Sequence, residues 1–395
     1  MNLKSLALTI CCLAAGASHS VYAAETTQAA GVAPNSIAQK AIATLGFVES
    51  PFGKLPSGEA VTLYTLTNTN GLVVKLTNYG GVITSINTPD KNGKMGDIVL
   101  GFDSVDGYLK NPSFFGALIG RFGNRIGKGR FTLDSKQYQL TVNDGANHLH
   151  GGTKGFDKIL WNAKPFTTEN SAGVTLTHLS PDGDQGYPGN LNTTVVYELT
   201  DNDEFFIKYQ ASTDKATPVN MTQHPYFNLA GSGTILDHEL LINASRYTPI
   251  DSTLIPTGEL ASVAETPFDF TRSHPIGDMI AQKNVQLKNG GGYDHNWVLN
   301  KQSDSEWGMD ARLYDPKSGR VLEVYSDEPG IQFYSGNFLN GKADGKGVRF
   351  VYRGAVCLEP QHFPDSPNKP HFPSTILQPG KEYTSTLSFR FAVKH

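Results

Sequence analysis

Cysteine is nearly missing from this chain: three in 395 residues, two of them adjacent at Cys11 and Cys12. Once an N-terminal segment carrying that pair is removed, Cys357 stands alone and no disulfide can form within the chain. That excludes a small scaffold stapled by disulfides. An excess of charge of either sign is also missing. With a net charge of −4 and 18% charged residues, the chain offers no electrostatic footprint for nucleic acid or an anionic membrane surface, and neither is expected as a partner. No apolar run is long enough to cross a bilayer. No fixed-period repeat occurs, which excludes a propeller or a solenoid. Helical periodicity is scarce; two turns are expected at 276–282 and little else. The glycines at Gly127, Gly129, Gly151 and Gly152 fit neither the dinucleotide nor the phosphate-loop spacing, and there is no Gly-x-Ser-x-Gly elbow. No cofactor is therefore expected.

Turn formers and aromatics abound instead. The 41 glycines, 22 prolines and 10% aromatics are the composition of an all-β protein. Short strand-like runs at 61–66, 72–77 and 82–87 are separated by turn residues at Asn68, Asn70-Gly71 and Gly80-Gly81. Similar runs follow through 383–391 with no linker between them. The expected fold is all-β, a single large antiparallel β-sandwich over 47–395. Ahead of it, residues 1–23 read as an export signal: Lys4, an apolar run at 6–15, and the small-x-small pattern Val21-Tyr22-Ala23. Residues 24–46 read as a tether. There Ser36-Ile37-Ala38-Gln39 is a capping box that opens a short helix, with Gly46 as its stop. Export without disulfides suits a bacterial periplasm.

Five stretches carry side chains fit for chemistry. At 220–229, a two-residue period separates Asn220, Thr222, His224, Tyr226 and Asn228 from the mostly apolar Met221, Gln223, Pro225, Phe227 and Leu229. A polar row of this kind normally faces water, yet this one has no Lys or Glu. Hydroxyl, imidazole and amide groups in a row suit a sugar cleft, and Pro225 holds His224 extended. His224 is the candidate proton-transfer group. Glu359 closes the apolar run 355–359, and Pro360 blocks a simple continuation. Partial burial there would raise its pKa toward a useful range. Asn124 and Arg125 lie in a Gly-rich turn, where a guanidinium fork can hold vicinal hydroxyls or simply face solvent beside Arg121. Asp294 follows three glycines and is either a hydroxyl acceptor or a turn cap. His148-Leu149-His150 puts two imidazoles on one strand face, a usable metal geometry. No third ligand lies at short spacing, so no metal is expected, and His150 reads as a hydrogen-bonding group.

Together these stretches resemble the aldose 1-epimerase (galactose mutarotase) family. The carriers are Gly-Arg-x-x-Asn-Arg-Ile, Asn-x-Leu-His-Gly-Gly, His-x-Tyr-Phe-Asn-Leu, Tyr-Asp-His-Asn and Leu-Glu-x-Gln-x-x-Pro-Asp, in that order. Leu254-Ile255-Pro256-Thr257-Gly258 and the run 329–337 add to them. The resemblance spans residues 47 to 393. It implies a large mutarotase-like β-sandwich, no cofactor, and aldose sugars as small-molecule partners. It implies His224 as general acid and Glu359 as general base, with Asn124, Arg125, His150, Tyr226, Asp294 and Gln332 around the sugar. A monomer or homodimer is expected. Gln223 and Pro225 flank the histidine where many relatives differ, and the export signal is an addition to the common cytoplasmic form.

Overall fold

The computed structural model describes residues 43–395 apart from 111, 112 and 304. The expected export signal and the capping-box helix lie outside the described residues. Three antiparallel sheets make up most of the rest. The first is a five-stranded meander running from Gly46–Lys54 to Met95–Asp97. In its second strand, Ala60–Thr67, the buried side chains are Val61, Tyr64 and Leu66. Buried Asn68 closes the hairpin that follows. Its carboxamide accepts from Leu72 N and donates to Thr200 O, so a turn residue also ties this sheet to the next.

The largest sheet has nine strands. Strand Leu191–Thr200 alternates buried and open positions along its whole length, as a half-covered strand must. The C-terminal strand Glu382–Val393 enters the middle of this sheet, between Glu204–Thr213 and Arg320–Ser326. The third sheet runs in the order Ala261–Ser262, Ala244–Thr248, Asp294–Leu299, Gly330–Tyr334 and Cys357–Gln361. Its last three strands are buried at every residue. One face carries Trp297, Ile331, Phe333 and Leu358 into a core shared with Val195, Val324 and Phe389 of the large sheet. Each such aliphatic side chain, fully buried, contributes about 1.5–3 kcal/mol. The opposite face is polar and positions the site.

The all-β expectation holds, with departures in detail. Gly46 does not stop a helix; it opens the strand Gly46–Lys54. Among the described residues that strand pairs only with Ala60–Thr67, and it is bulged between Pro51 and Gly53, so it lacks the alternation that marks a covered strand. The two turns expected at 276–282 shrink to a single 3₁₀ turn, Ile276–Asp278. Helical turns form instead at Val105–Lys110 and Val285–Gly290. The second is capped by Asn284, whose side chain accepts from Gln286 N and Leu287 N, and ends on left-handed Gly291. Among the described residues no helix is long and apolar enough to cross a membrane.

Candidate active site

Three adjacent strands present their polar row on one face. The register sets Asn296 beside Gln332 and Gln332 beside Glu359. Asp294 and Tyr334 form the next rung. Pro360 does not end its strand, which continues to Gln361. It lies at the sheet's edge, where a missing N–H is tolerated, and its carbonyl accepts from Thr222 Oγ1 at 2.7 Å. That bond fastens the Glu359 strand to the His224 strand, Thr222–His224.

All eight residues singled out from the sequence line one pocket of about 350 Å³: Asn124, Arg125, His150, His224, Tyr226, Asp294, Gln332 and Glu359. Small-ligand pockets run from about 300 to 1,000 Å³, so this one is sized for a small molecule. His224 Nε2 lies 3.5 Å from Glu359 Oε1, both side chains almost fully buried. Burial lowers the His224 pKa to about 4. Burial also pushes Glu359 well above the usual carboxylate range; the Asp294 charge adds to this and Arg125 opposes it. Burial thus disfavours the charged form of both groups. Both shifts favour placing a shared proton on the carboxyl rather than on the imidazole.

The other side chains are fixed by their partners. Asn124 N–H donates to His150 Nδ1 at 3.1 Å. This leaves the proton of neutral His150 on Nε2, so the ring offers a hydrogen-bond donor. Burial keeps that ring neutral, with His224 and Arg125 acting in the same direction. Arg125 Nε donates to Asp144 at 2.7 Å, and its Nη1 lies 3.9 Å from Asp294 Oδ2. Gln332 Nε2 donates to Asp294 Oδ1 at 2.7 Å, so Gln332 orients the acceptor. Burial raises the Asp294 pKa, and Arg125 and Gln332 counter it. Asp294 begins a strand and does not cap a loop. Tyr226 donates its hydroxyl to Ser113 O and stacks its ring on His224; it supplies a wall to the pocket.

Two sequence readings are corrected. His148 and His150 do not share a strand face. The strand His148–Leu149 stops before His150, whose φ is +50°. His148 donates to Thr141 O, accepts from Tyr187, and takes no part in the pocket. Arg121 and Arg125 are not surface cations; both are buried. Arg121 donates to Ser180, Pro181, Pro188 and Gly189 oxygens, which turns it into a structural clamp. His150, His224 and Glu359 do bring ring nitrogens and a carboxylate oxygen within 4.8 Å. The His150 tautomer set by Asn124 favours hydrogen bonding there over metal ligation.

Sequence reasoning missed Asp144, Phe114, Leu254 and Phe338, which also line the pocket. Phe114 packs edge-on against His150, ring centres 4.7 Å apart. Phe114, Asn124, His150 and Leu254 all hold left-handed backbone, a cost of order 1 kcal/mol each that collects at functional sites. Only the Leu254 motif carried a signal in the sequence, and a single sequence does not print φ.

A pocket that sets an acid–base pair among sugar-type acceptors and donors defines an enzyme site for a small polyol. The aldose 1-epimerase family signature matches residues 62–390. Galactose mutarotase of Bos taurus is 45% identical over 87% of this chain and 97% of its own length. Aldose 1-epimerase of Escherichia coli strain K12 is 39% identical over 85% of this chain and 96% of its own length. The crystal structure of galactose 1-epimerase from Lactobacillus acidophilus NCFM superposes with a TM-score of 0.78 at 30% identity, over 89% of this chain and all of that one. The chain belongs to the aldose 1-epimerase family, and its reaction is the interconversion of aldose anomers.

Proposed function

We propose that the pocket binds aldohexoses such as glucose and galactose, and that His224 and Glu359 open and reclose their rings at C1. The observation that carries this is the 3.5 Å approach of His224 Nε2 to Glu359 Oε1 in the lining of the pocket. Moving the shared proton from carboxyl to imidazole gives the reactive form. Glu359 then takes the proton of the C1 hydroxyl while His224 delivers one to the ring oxygen. The C1–O5 bond breaks, the C1 carbonyl forms, and the chain is an open aldehyde. Rotation about C1–C2 presents the other carbonyl face. On reclosure His224 takes back the proton of the C5 hydroxyl and Glu359 returns one to the carbonyl oxygen. No atoms are gained or lost and no covalent intermediate is needed.

Asp294 accepts from sugar hydroxyls, and Arg125 and the His150 Nε2–H donate to them. A phosphorylated hexose fits less well. Arg121 is spent on backbone carbonyls, and Arg125 sits between the carboxylates of Asp144 and Asp294. Polarimetry of freshly dissolved α-glucose and α-galactose, corrected for the spontaneous rate, tests the reading. Failure to accelerate either sugar, with acceleration of a sugar phosphate, would replace it.

Export to the periplasm is part of the same proposal and rests on Lys4, the apolar run and Val21-Tyr22-Ala23. Mass spectrometry of the periplasmic fraction should find a mature chain beginning at Ala24. A soluble cytoplasmic form that keeps Met1 would sink it.

A further inference from the structure

Behind the pocket, the same polar row continues into the protein. Asn296 and Gln361 lie on the Glu359 face of the sheet but do not line the pocket. Both are fully buried. Neither Asn296 Nδ2 and Oδ1 nor Gln361 Nε2 and Oε1 has a hydrogen-bond partner among the described residues. Gln332 Oε1 and Glu359 Oε2 are in the same condition. Six unpaired polar atoms on three adjacent strands are far from the rule that buried polar groups are bonded. Gly330 explains how they meet. It pairs with Gln361 on one side and Val298 on the other. A Cβ on Gly330 would come within 2.5 Å of Asn296 Oδ1 and 2.9 Å of the Phe363 ring. The glycine thus opens a space into which the Asn296 carbonyl leans, next to Gln361. The Gln361 carbonyl reaches across to Gly123, 3.6 Å from where its Cβ would be.

We propose that Asn296 and Gln361 hold ordered water against the inner oxygen Oε2 of Glu359, which makes these two amides positioning residues for the reaction at C1. The donor set selects water over a cation. A cation would satisfy the carbonyl oxygens and leave both NH₂ groups unpaired, whereas water donates and accepts. With Oε1 turned toward His224 and Oε2 toward this water, the carboxylate has one reacting and one anchored oxygen. The anchored oxygen accepts hydrogen bonds that favour the ionised form, in a site where burial opposes it. The inference rests on Glu359 as the base.

The test substitutes Gln361→Met and Asn296→Leu, which keep volume and remove the amides. Besides the two amides, Glu359 faces His224, His150, Asp294 and Arg125, and Tyr226, Tyr334 and Cys357 lie within its electrostatic reach; none of these is substituted. The expected result is a lowered kcat with KM held within about twofold, since neither amide touches the sugar. The high-pH limb of kcat should move up by about one unit, the worth of one lost hydrogen bond to the carboxylate. A folded Gln361→Met enzyme with wild-type kcat and an unmoved limb overturns the proposal. Should neither variant fold, a crystal structure of the wild-type enzyme decides it. Water within hydrogen-bond distance of both Glu359 Oε2 and Gln361 upholds the proposal, and a dry contact between the amides refutes it. A fully active Glu359→Gln enzyme would instead remove the base assignment; an inactive one alongside an unaffected Gln361→Met removes only the role of the two amides.

Discussion

Among the described residues two buried glutamates, Glu328 and Glu359, each face a histidine, and they are opposites. Glu328 is held at both oxygens: Oε2 lies 2.6 Å from His362 Nδ1, and Oε1 accepts from Ser385 Oγ at 2.5 Å. Burial pushes its pKa up, but His362, Ser385 and Lys301 outweigh burial and leave it below the usual range. Glu359 stands 3.5 Å from its histidine, its Oε2 has no hydrogen-bond partner among the described residues, and its pKa is raised. Burial is the same for both. The difference is the number of partners, and it separates a carboxylate that holds the fold together from one left free to move a proton. Sites of reaction are where a fold leaves charge unsatisfied.

The largest effect that would break this contrast is on rate. Glu359→Gln and His224→Asn should each lower kcat by on the order of a hundredfold or more, with KM much less changed. Circular dichroism confirms folding. In the same experiment Glu359→Gln should raise Tm at neutral pH. Its folded form keeps a proton that the unfolded chain releases above about pH 4.3. Glu359 therefore weakens the fold as pH rises from that value toward its raised pKa. A variant that is both slow and less stable would mean that Glu359 is structural.

Glu328→Gln should do the reverse. Charge-assisted bonds to His362 and Ser385 are lost, at about 2 kcal/mol, while kcat stays within about twofold. The sign with pH is also opposite. A depressed folded pKa contributes stability in full above about pH 4.3 and loses it as pH falls through the folded value. The Tm difference between wild type and Glu328→Gln should therefore vanish in acid, as calorimetry at several pH values would reveal. A constant difference would assign the loss to packing.

A smaller effect sharpens the contrast within the pocket. Arg125→Ala and Asp294→Asn should raise KM by roughly tenfold, the scale of one charge-assisted hydrogen bond, along with any loss of rate. Steady-state kinetics on both sugars would measure it. An unchanged KM would take these two out of sugar binding.

Much of the reactive pair was legible in the sequence and almost none of the structural one. His224 sits in a run with a clear two-residue period and Glu359 closes an apolar run, each followed by a proline. Both polar rows face a pocket inside the protein. Period alone does not separate that from a row facing water, because a strand alternates in the same way in either case. Glu328 lies just ahead of the run 329–337, and nothing in its neighbours marks it out. Its partners His362 and Ser385 come from 34 and 57 residues away, a distance that no local pattern spans. The paired histidines His148 and His150 misled for a related reason: a left-handed residue at the strand end sends two side chains spaced for one face into different surroundings.

The smallest expected effect is on the shape of the pH profile, and it separates two descriptions of the pair. With ordinary values of about 4.3 for Glu and 6.5 for His, the state with ionised carboxylate and protonated imidazole would dominate only in mild acid, and kcat would fall by neutral pH. The structure places the His224 value at about 4 and the Glu359 value well above its usual range. The one-proton state of the pair then extends from about pH 4 upward to the raised Glu359 value. As pH falls through about 4, the pair gains a second proton and no base remains. As pH rises past the raised Glu359 value, the shared proton leaves and no acid remains. The pH profile of kcat/KM, followed by polarimetry, should show an acid limb near 4 and an alkaline limb above the ordinary carboxylate range. An acid limb that stays near 4 in Asp294→Asn, with the alkaline limb moved down, would further tie the upper limit to Glu359, because the Asp294 charge is one cause of its raised value. A bell centred between 4.3 and 6.5 would instead mean that the sugar-free pocket is wet enough to leave both groups at their ordinary values.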